Sequence, residues 1–417
     1  MAGKRWIYVA VMVPCIAAAC ADSGGRWAGT ISDSAGVTMI LNPEEGMWQE
    51  GEGWTVQEEL RIGSVEASPN YQFSLAGGIA VDADGRIFVL DLRERHVQVY
   101  SPDGAYERTI GRRGRGPGEL EYALYVLMTP GDTLVVLDMG NQRLQRFAPD
   151  GTALESPPFS AADGVPLRFR GNSRGVMAAQ LRRWALAGQN PAEDPEDVIV
   201  VPGRDGRTTD TLLAFPPGRG QRYTAGGPPE YTIKAPEPSW DLTDANTLAF
   251  GNGAEYRIEI RSLDGVLQRV VEKRSTPRPM TERDRQGYLK SLRAAYGGSG
   301  PEQEINELLR RTVHFTEYLP PFETILAGPA GTIWVQHVQA PSDLPDKEYD
   351  PLDATMDEGS PDWSVFDREG RYLGVVRMPD RFKPMVFRGD EIYGVWRDDL
   401  DVQYVLRLRI LGMTGPD

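Results

Sequence analysis

Only two cysteines, Cys15 and Cys20, occur in 417 residues, and both lie within the first twenty. A body without thiols has neither disulfides nor thiolate zinc sites to stabilise it. Histidine is almost as scarce. His96, His314 and His337 are the only three, and no H-x-x-x-H or H-E-x-x-H pair exists, which argues against a histidine-rich metal centre. No P-loop occurs, and no catalytic residue, metal set or cofactor signature is read from the chain. Positive charge is in deficit: 45 Lys and Arg face 60 Asp and Glu, a formal net charge of −15. A nucleic-acid partner would want a basic face, so the balance argues against one.

Long apolar runs are also missing, apart from one at the start. Lys4 and Arg5 precede an apolar stretch over residues 6–16, shorter than the ~20 residues that span a bilayer. Ala17-Ala18-Ala19-Cys20 follows. This arrangement resembles a bacterial lipoprotein signal, in which Cys20 receives lipid before cleavage. The resemblance implies a signal peptide over 1–19, a flexible linker over 20–33, and anchoring in the cell envelope, at the outer membrane or cell surface, through lipid alone. Cys15 leaves with the signal, so no cysteine remains in the folded body.

What the chain has in abundance is turn residues: 46 Gly and 32 Pro. Residues 131–151 show their use. Gly131-Asp132 turns the chain, Leu134–Leu137 reads as a buried strand, and residues 138–141 form a polar turn. Leu144, Gln145, Arg146 and Phe147 then alternate as a second strand, and Pro149-Asp150-Gly151 is a tight turn into a third. The same grammar stands upstream over 84–91, 97–100 and 102–104, with the glycine-rich run 111–120 between the two copies. Asp138, Asn141, Arg143 and Phe147 resemble the NHL repeat of β-propellers. The upstream copy departs from it, with Glu94 and His96 where Asn and Arg would stand.

Six such units can be aligned by turn placement, the last lacking an outer strand, while strands over 37–41 and 54–62 precede the first. The expected fold is all-β: a six-bladed β-propeller over 34–417, closed by an N-terminal strand that completes the last blade and removes its unpaired edges. Residues 281–318 differ. Their helical spacing, the Thr281/Asp284 capping box and the break at 297–301 predict an inserted helical hairpin.

In such a blade the first-to-second and third-to-fourth turns open on one face. The second-to-third loops and the blade-to-blade crossovers open on the other. The first set is short throughout, and every large insertion belongs to the second: 112–118, 180–197, 281–318 and 337–362. One-sided growth predicts a binding face. Candidate binding residues there are Arg112, Arg113 and Arg115, which suit a carboxylate or phosphate, with Arg182, Trp184 and His337. Glu119 and Glu121 are at hand to pair with the arginines. The acidic stretch between Asp343 and Asp362 lacks calcium-loop spacing and reads as a solvated loop. The leading expectation is a monomeric binding or scaffold protein for a protein, peptide or glycan. The six-bladed fold also hosts gluconolactonase-like and amidating-lyase-like enzymes, so a small-molecule hydrolase or lyase with a metal in the central channel stands as the alternative.

Replacing Cys20 with Ser is expected to leave an unlipidated precursor or a soluble envelope protein. Unchanged palmitate labelling and detergent partitioning in Cys20→Ser would rule the lipid anchor out.

Overall fold

The computed structural model describes residues 26–413 apart from 67, 160–163, 184–195, 204–207, 219, 223–227, 297–299 and 345–358. Cys20, Trp184 and most of the acidic stretch lie outside the described residues. The described residues form six antiparallel four-stranded blades around one axis, the fourth extended to a six-stranded sheet by two N-terminal strands. Blade 1 is Ala76–Val81, Ile87–Asp91, His96–Tyr100 and Tyr106–Ile110. Blade 2 is Ala123–Thr129, Thr133–Asp138, Arg143–Phe147 and Ala153–Leu154. Blade 3 is Val165–Gly171, Met177–Arg183, Glu196–Pro202 and Thr208–Phe215. Blade 4 is Ser239–Leu242, Thr247–Gly251, Arg257–Ser262 and Leu267–Lys273. Blade 5 is Ile325–Ala327, Ile333–Gln336, Asp362–Phe366 and Tyr372–Arg377. Blade 6 is Phe382–Arg388, Glu391–Arg397, Gln403–Leu411 and, from the N-terminal region, Thr55–Ile62.

Both faces of each sheet are covered by neighbours, so second strands such as Ile87–Asp91 and Thr133–Asp138 read as near-continuous apolar runs rather than alternating ones. Every residue of Ile87–Asp91 is buried, as is every residue of Ile333–Gln336. Six apolar clusters fill the six seams, each drawn from two adjacent blades. Phe88 and Val99 meet Val126 and Phe147 between blades 1 and 2, and Leu144 meets Phe169 and Val198 in the next seam. Trp240 packs with Ile199 between blades 3 and 4, and Tyr256 with Phe322 and Phe366 between 4 and 5. Trp334 and Trp363 pack with Leu406 and Leu408, and Tyr393 with Ile79 and Tyr100.

The closing strand is Thr55–Ile62. It pairs antiparallel with Gln403–Leu411, from Leu411 opposite Thr55 to Val405 opposite Ile62. Ile62 belongs to the seam between blades 6 and 1, and Gln403 Oε1 accepts a bond from Ala76 N at 2.7 Å across that seam. The other N-terminal strand does something else. Val37–Asn42 runs parallel to the outer strand of blade 4, and Thr30–Ser34 pairs outside it. The expected linker over 20–33 is therefore corrected at its end, because strand begins at Thr30. Buried Asn42 locks this belt. Its Nδ2 donates to the carbonyls of Glu272 (3.1 Å) and Gly370 (2.9 Å), and its Oδ1 accepts from Tyr372 N (2.7 Å) and Trp27 Nε1 (2.9 Å). Met47 N and Trp48 N then bond the carbonyls of Tyr372 and Leu373. Residues 30–62 thus run along the rims of blades 4, 5 and 6.

The inserted helices are α1, Glu282–Ala295, and α2, Glu302–Thr312. Thr281 and Asp284 form the capping box at the start of α1. Val313–Phe315 then pairs parallel with Glu230–Ile233 of the preceding crossover, making a small sheet beside the hairpin.

Removing residues 26–36 is expected to lower stability without opening the ring. Removal through Ile62 is expected to abolish the single cooperative melt, and Ile62→Ala alone to cost about 2–4 kcal/mol. Calorimetry of the two truncations decides the matter: matching transitions would show the closing strand to be dispensable.

Candidate binding face and central channel

The topology puts eleven turns on one face, none longer than five residues, and all longer connections on the other. On the elaborated face, the crossover from blade 1 to blade 2 is held down by the residues that gave the repeat its signature. Buried Asp138 accepts from Tyr122 N at 2.8 Å, Glu121 N at 3.1 Å and Asn141 Nδ2 at 2.6 Å. Asn141 Nδ2 also reaches Gly114 O, and Arg143 Nη2 donates to Gly116 O and Glu119 O at 2.7 and 2.8 Å. The motif is an adhesive for a glycine-rich strap. Arg112 pairs with Glu119 at 2.8 Å while its side chain stays 81% exposed. The Gly116 N–H, and after it Arg112, hold the Glu119 carboxyl below its usual range. Arg113 and Arg115 are exposed, with no side-chain partner among the described residues.

Blade 3 corrects one sequence reading. Gln180–Arg183, assigned to an insertion, is the end of a strand. Arg182 makes a two-pronged pair with buried Asp197, at 2.8 and 3.0 Å. Gln180 Nε2 donates to the same carboxylate at 2.9 Å, and Trp240 Nε1 donates to Gln180 Oε1 at 2.8 Å. This network joins blade 3 to blade 4, so Arg182 is committed to the scaffold.

The helical hairpin covers the same face. Asp284 Oδ1 accepts from Ser342 N at 2.8 Å, and Arg283 Nη2 donates to Leu344 O at 2.8 Å, both on the long loop of blade 5. Met280, Tyr288, Leu319, Val338 and Ala340 form a seventh apolar cluster there, flanked by Ile233 and Phe315. Lys234 pairs with Glu323 beneath it, its ammonium 5.9 Å from the Tyr288 ring centre.

His337 lies half-buried where that loop leaves blade 5, its Nε2 2.8 Å from Ser364 Oγ. Burial pushes its pKa below the ordinary value, helped by Lys273 and opposed by Asp362. Lys273 itself rests against two rings, 4.7 Å from that of Tyr372 and 5.3 Å from that of Tyr256. The expected residues therefore share a face but not a point: Arg112, Arg113 and Arg115 stand between blades 1 and 2, Arg182 in blade 3 and His337 in blade 5. His96 begins the third strand of blade 1 and is half-buried.

The innermost strands carry charge that the sequence reading overlooked. Arg168 and Arg170 of blade 3 reach toward Ser239, Trp240 and Asp241 of blade 4. Arg168 Nη1 donates to Ser239 Oγ (3.1 Å) and Trp240 O (3.0 Å), and Arg170 Nε stands 3.6 Å from Asp241 Oδ1. Burial raises the Asp241 pKa, with Arg170 opposing. Two guanidiniums against one carboxylate do not suit a divalent cation. Among the described residues, no three His, Cys, Asp or Glu side chains converge as a metal site would require.

The family model DUF5128, a 6-bladed beta-propeller, matches residues 78–156, which hold blades 1 and 2. No curated protein matches the chain. Among solved structures, a Bacteroides fragilis NCTC 9343 protein described as exported superposes with a TM-score of 0.50 at 11% identity, over 89% of this chain and 99% of that one. Virginiamycin B lyase from Staphylococcus aureus gives 0.42 at 10% identity, over 86% and 99%. A gluconolactonase from Xanthomonas campestris gives 0.42 at 13% identity, over 84% and 98%. At such identities the likeness is one of fold.

The depressed pKa of His337 has a consequence for stability. The folded state favours neutral imidazole, so its contribution is complete above the ordinary value of 6.5 and declines as pH falls below it. Denaturant midpoints of the parent and of His337→Asn, measured from about pH 7.5 to about pH 5.5, are expected to converge on acidification. A difference that does not vary with pH would refute the assignment.

Proposed function

We propose that this chain is a lipid-anchored binding or scaffold protein of the bacterial cell envelope, which takes a protein, peptide or glycan partner on its elaborated face. The observation that carries this reading is the one-sided construction of the molecule. The elaborations are also more than slack chain. The hairpin has its own cap, its own apolar cluster and hydrogen bonds to the blade 5 loop. The fit of Asp138, Asn141, Arg143 and Phe147 to the NHL pattern supports the same reading, because that motif ties down a strap bearing exposed Arg113 and Arg115 on this face. The other reading, a hydrolase or lyase acting on a small molecule, keeps its basis in the fold, while the metal it would use finds no donor set among the described residues.

Photo-crosslinking in intact cells tests the proposal. A crosslinking residue at Arg113 or Arg115 is expected to give discrete adducts, and one at Asp84 or Asp264, on the opposite face, none. Excising 281–316 should leave a folded propeller, since Met280 N and Glu317 O are already hydrogen-bonded at 2.9 Å, and should change the adducts. Equal labelling from the two faces, or no adducts from either, would overturn it.

A further inference from the structure

The channel wall between blades 3 and 4 goes beyond that reading, because it concerns the axis rather than the elaborated face. Arg168 and Arg170 are two residues apart on Val165–Gly171 and so lean to the same side of the strand, toward blade 4. The register shift between Pro166 and Arg168 sets this phase. Each guanidinium carries five N–H donors. Arg168 uses its Nη1 on Ser239 Oγ and Trp240 O, and its Nε and Nη2 make no hydrogen bond among the described residues. Arg170 gives Nη1 to the carbonyl of Phe169 at 3.3 Å. Its Nε is buried without a hydrogen-bond partner, with Asp241 Oδ1 too far at 3.6 Å.

Among the described residues, Asp241 forms a hydrogen bond with neither arginine. Its oxygens already accept from Leu242 N and Ala327 N, each at 2.9 Å. Burial, and after it the charge of Arg170, pushes the Arg168 pKa down to about 10. Two arginines that serve the scaffold are held by carboxylates instead. Arg182 grips Asp197 with two nitrogens, and Arg409 meets Glu59 and Asp390. Arg170 keeps 30% of its side chain accessible although it stands on an innermost strand, which faces the channel. On the same strand Val165 and Leu167 are 46% and 37% exposed.

We propose that Arg168 and Arg170 form an oxyanion site on the channel wall, which takes the carboxylate of a small organic acid. A planar carboxylate matches the guanidinium fork, uses the idle donors and supplies the missing negative charge.

Calorimetric titration of the purified chain with acetate, succinate and inorganic phosphate, at constant ionic strength set with chloride, tests this. Saturable binding of a carboxylate is expected in the parent, with apparent affinity reduced about ten-fold or more in Arg170→Gln. Arg170→Lys, which keeps the charge and loses the fork, should fall between them, and this holds even where Arg170→Gln folds poorly. Arg113→Gln should bind as the parent does, which separates this site from the elaborated face. No saturable carboxylate binding, binding undiminished in both Arg170 variants, or binding of phosphate alone would each overturn the proposal, and none of these bears on the crosslinking result.

Discussion

Everything in this molecule depends on apolar contact between neighbouring blades. A four-stranded sheet with two apolar faces cannot fold alone, because each face must be covered. Six sheets in a ring cover one another, and the six seam clusters are that contact made concrete. The ring has one covalent gap, and Thr55–Ile62 spans it by supplying the fourth strand of the sixth sheet. Ile62 then joins the last seam, so hydrogen bonding and apolar packing close the circle together. The belt from Thr30 to Asn42 goes further and covers the outer edge of blade 4, where a bare strand would invite pairing with another chain.

Much of this was legible in the sequence, because turns and second strands carry local signals. Asp-Gly pairs such as Asp103-Gly104 and Asp150-Gly151 mark their turns, with Gly104 and Gly151 at φ of +86° and +89°, a region costly for other residues. Leu134–Leu137 announces a strand buried on both faces. Thr281 and Asp284 announce a helix start. The belt was not legible as a belt, since Asn42 finds its partners in blades 4 and 5, at Glu272, Gly370 and Tyr372. Gln180 and Arg182 looked like loop residues because polar side chains interrupt the apolar run. They sit in a strand because Asp197 and Trp240 satisfy them. Arg168 and Arg170 were missed for a related reason. Pro166 and two arginines disguise an inner strand, although the alternation of Leu167, Arg168, Phe169 and Arg170 is a period-2 signal that could have found it.

The uneven growth of the two faces has a physical source. Turns within a blade join strands about 5 Å apart, and here their own residues lock them. Asp82 accepts from Arg86 N, and Asp367 from Arg371 N, each at 2.8 Å. Lengthening such a turn discards those bonds. A crossover must in any case travel from the rim of one blade to the axis of the next, so added residues disturb no existing ladder. That freedom explains where insertions are tolerated. It does not explain why the largest one buries Tyr288 and Leu319 in a cluster of its own and spends Asp284 on Ser342. Ordering a segment costs about 1–2 kcal/mol per residue, and such contacts offset that cost at a surface the blades do not need.

The charge distribution joins the exterior to the axis. An excess of acid over base repels polyanions at long range, but salt screens that field within about 8–10 Å. A small anion already in the channel therefore responds mainly to the charges lining it. There Arg168 and Arg170 outnumber Asp241, in surroundings where burial has already pushed Arg168 down to about 10. Two like charges held close with idle donors are unfavourable until a counter-charge arrives. Net charge therefore governs what the surface repels at long range, while local geometry governs whether a single carboxylate is held at the centre.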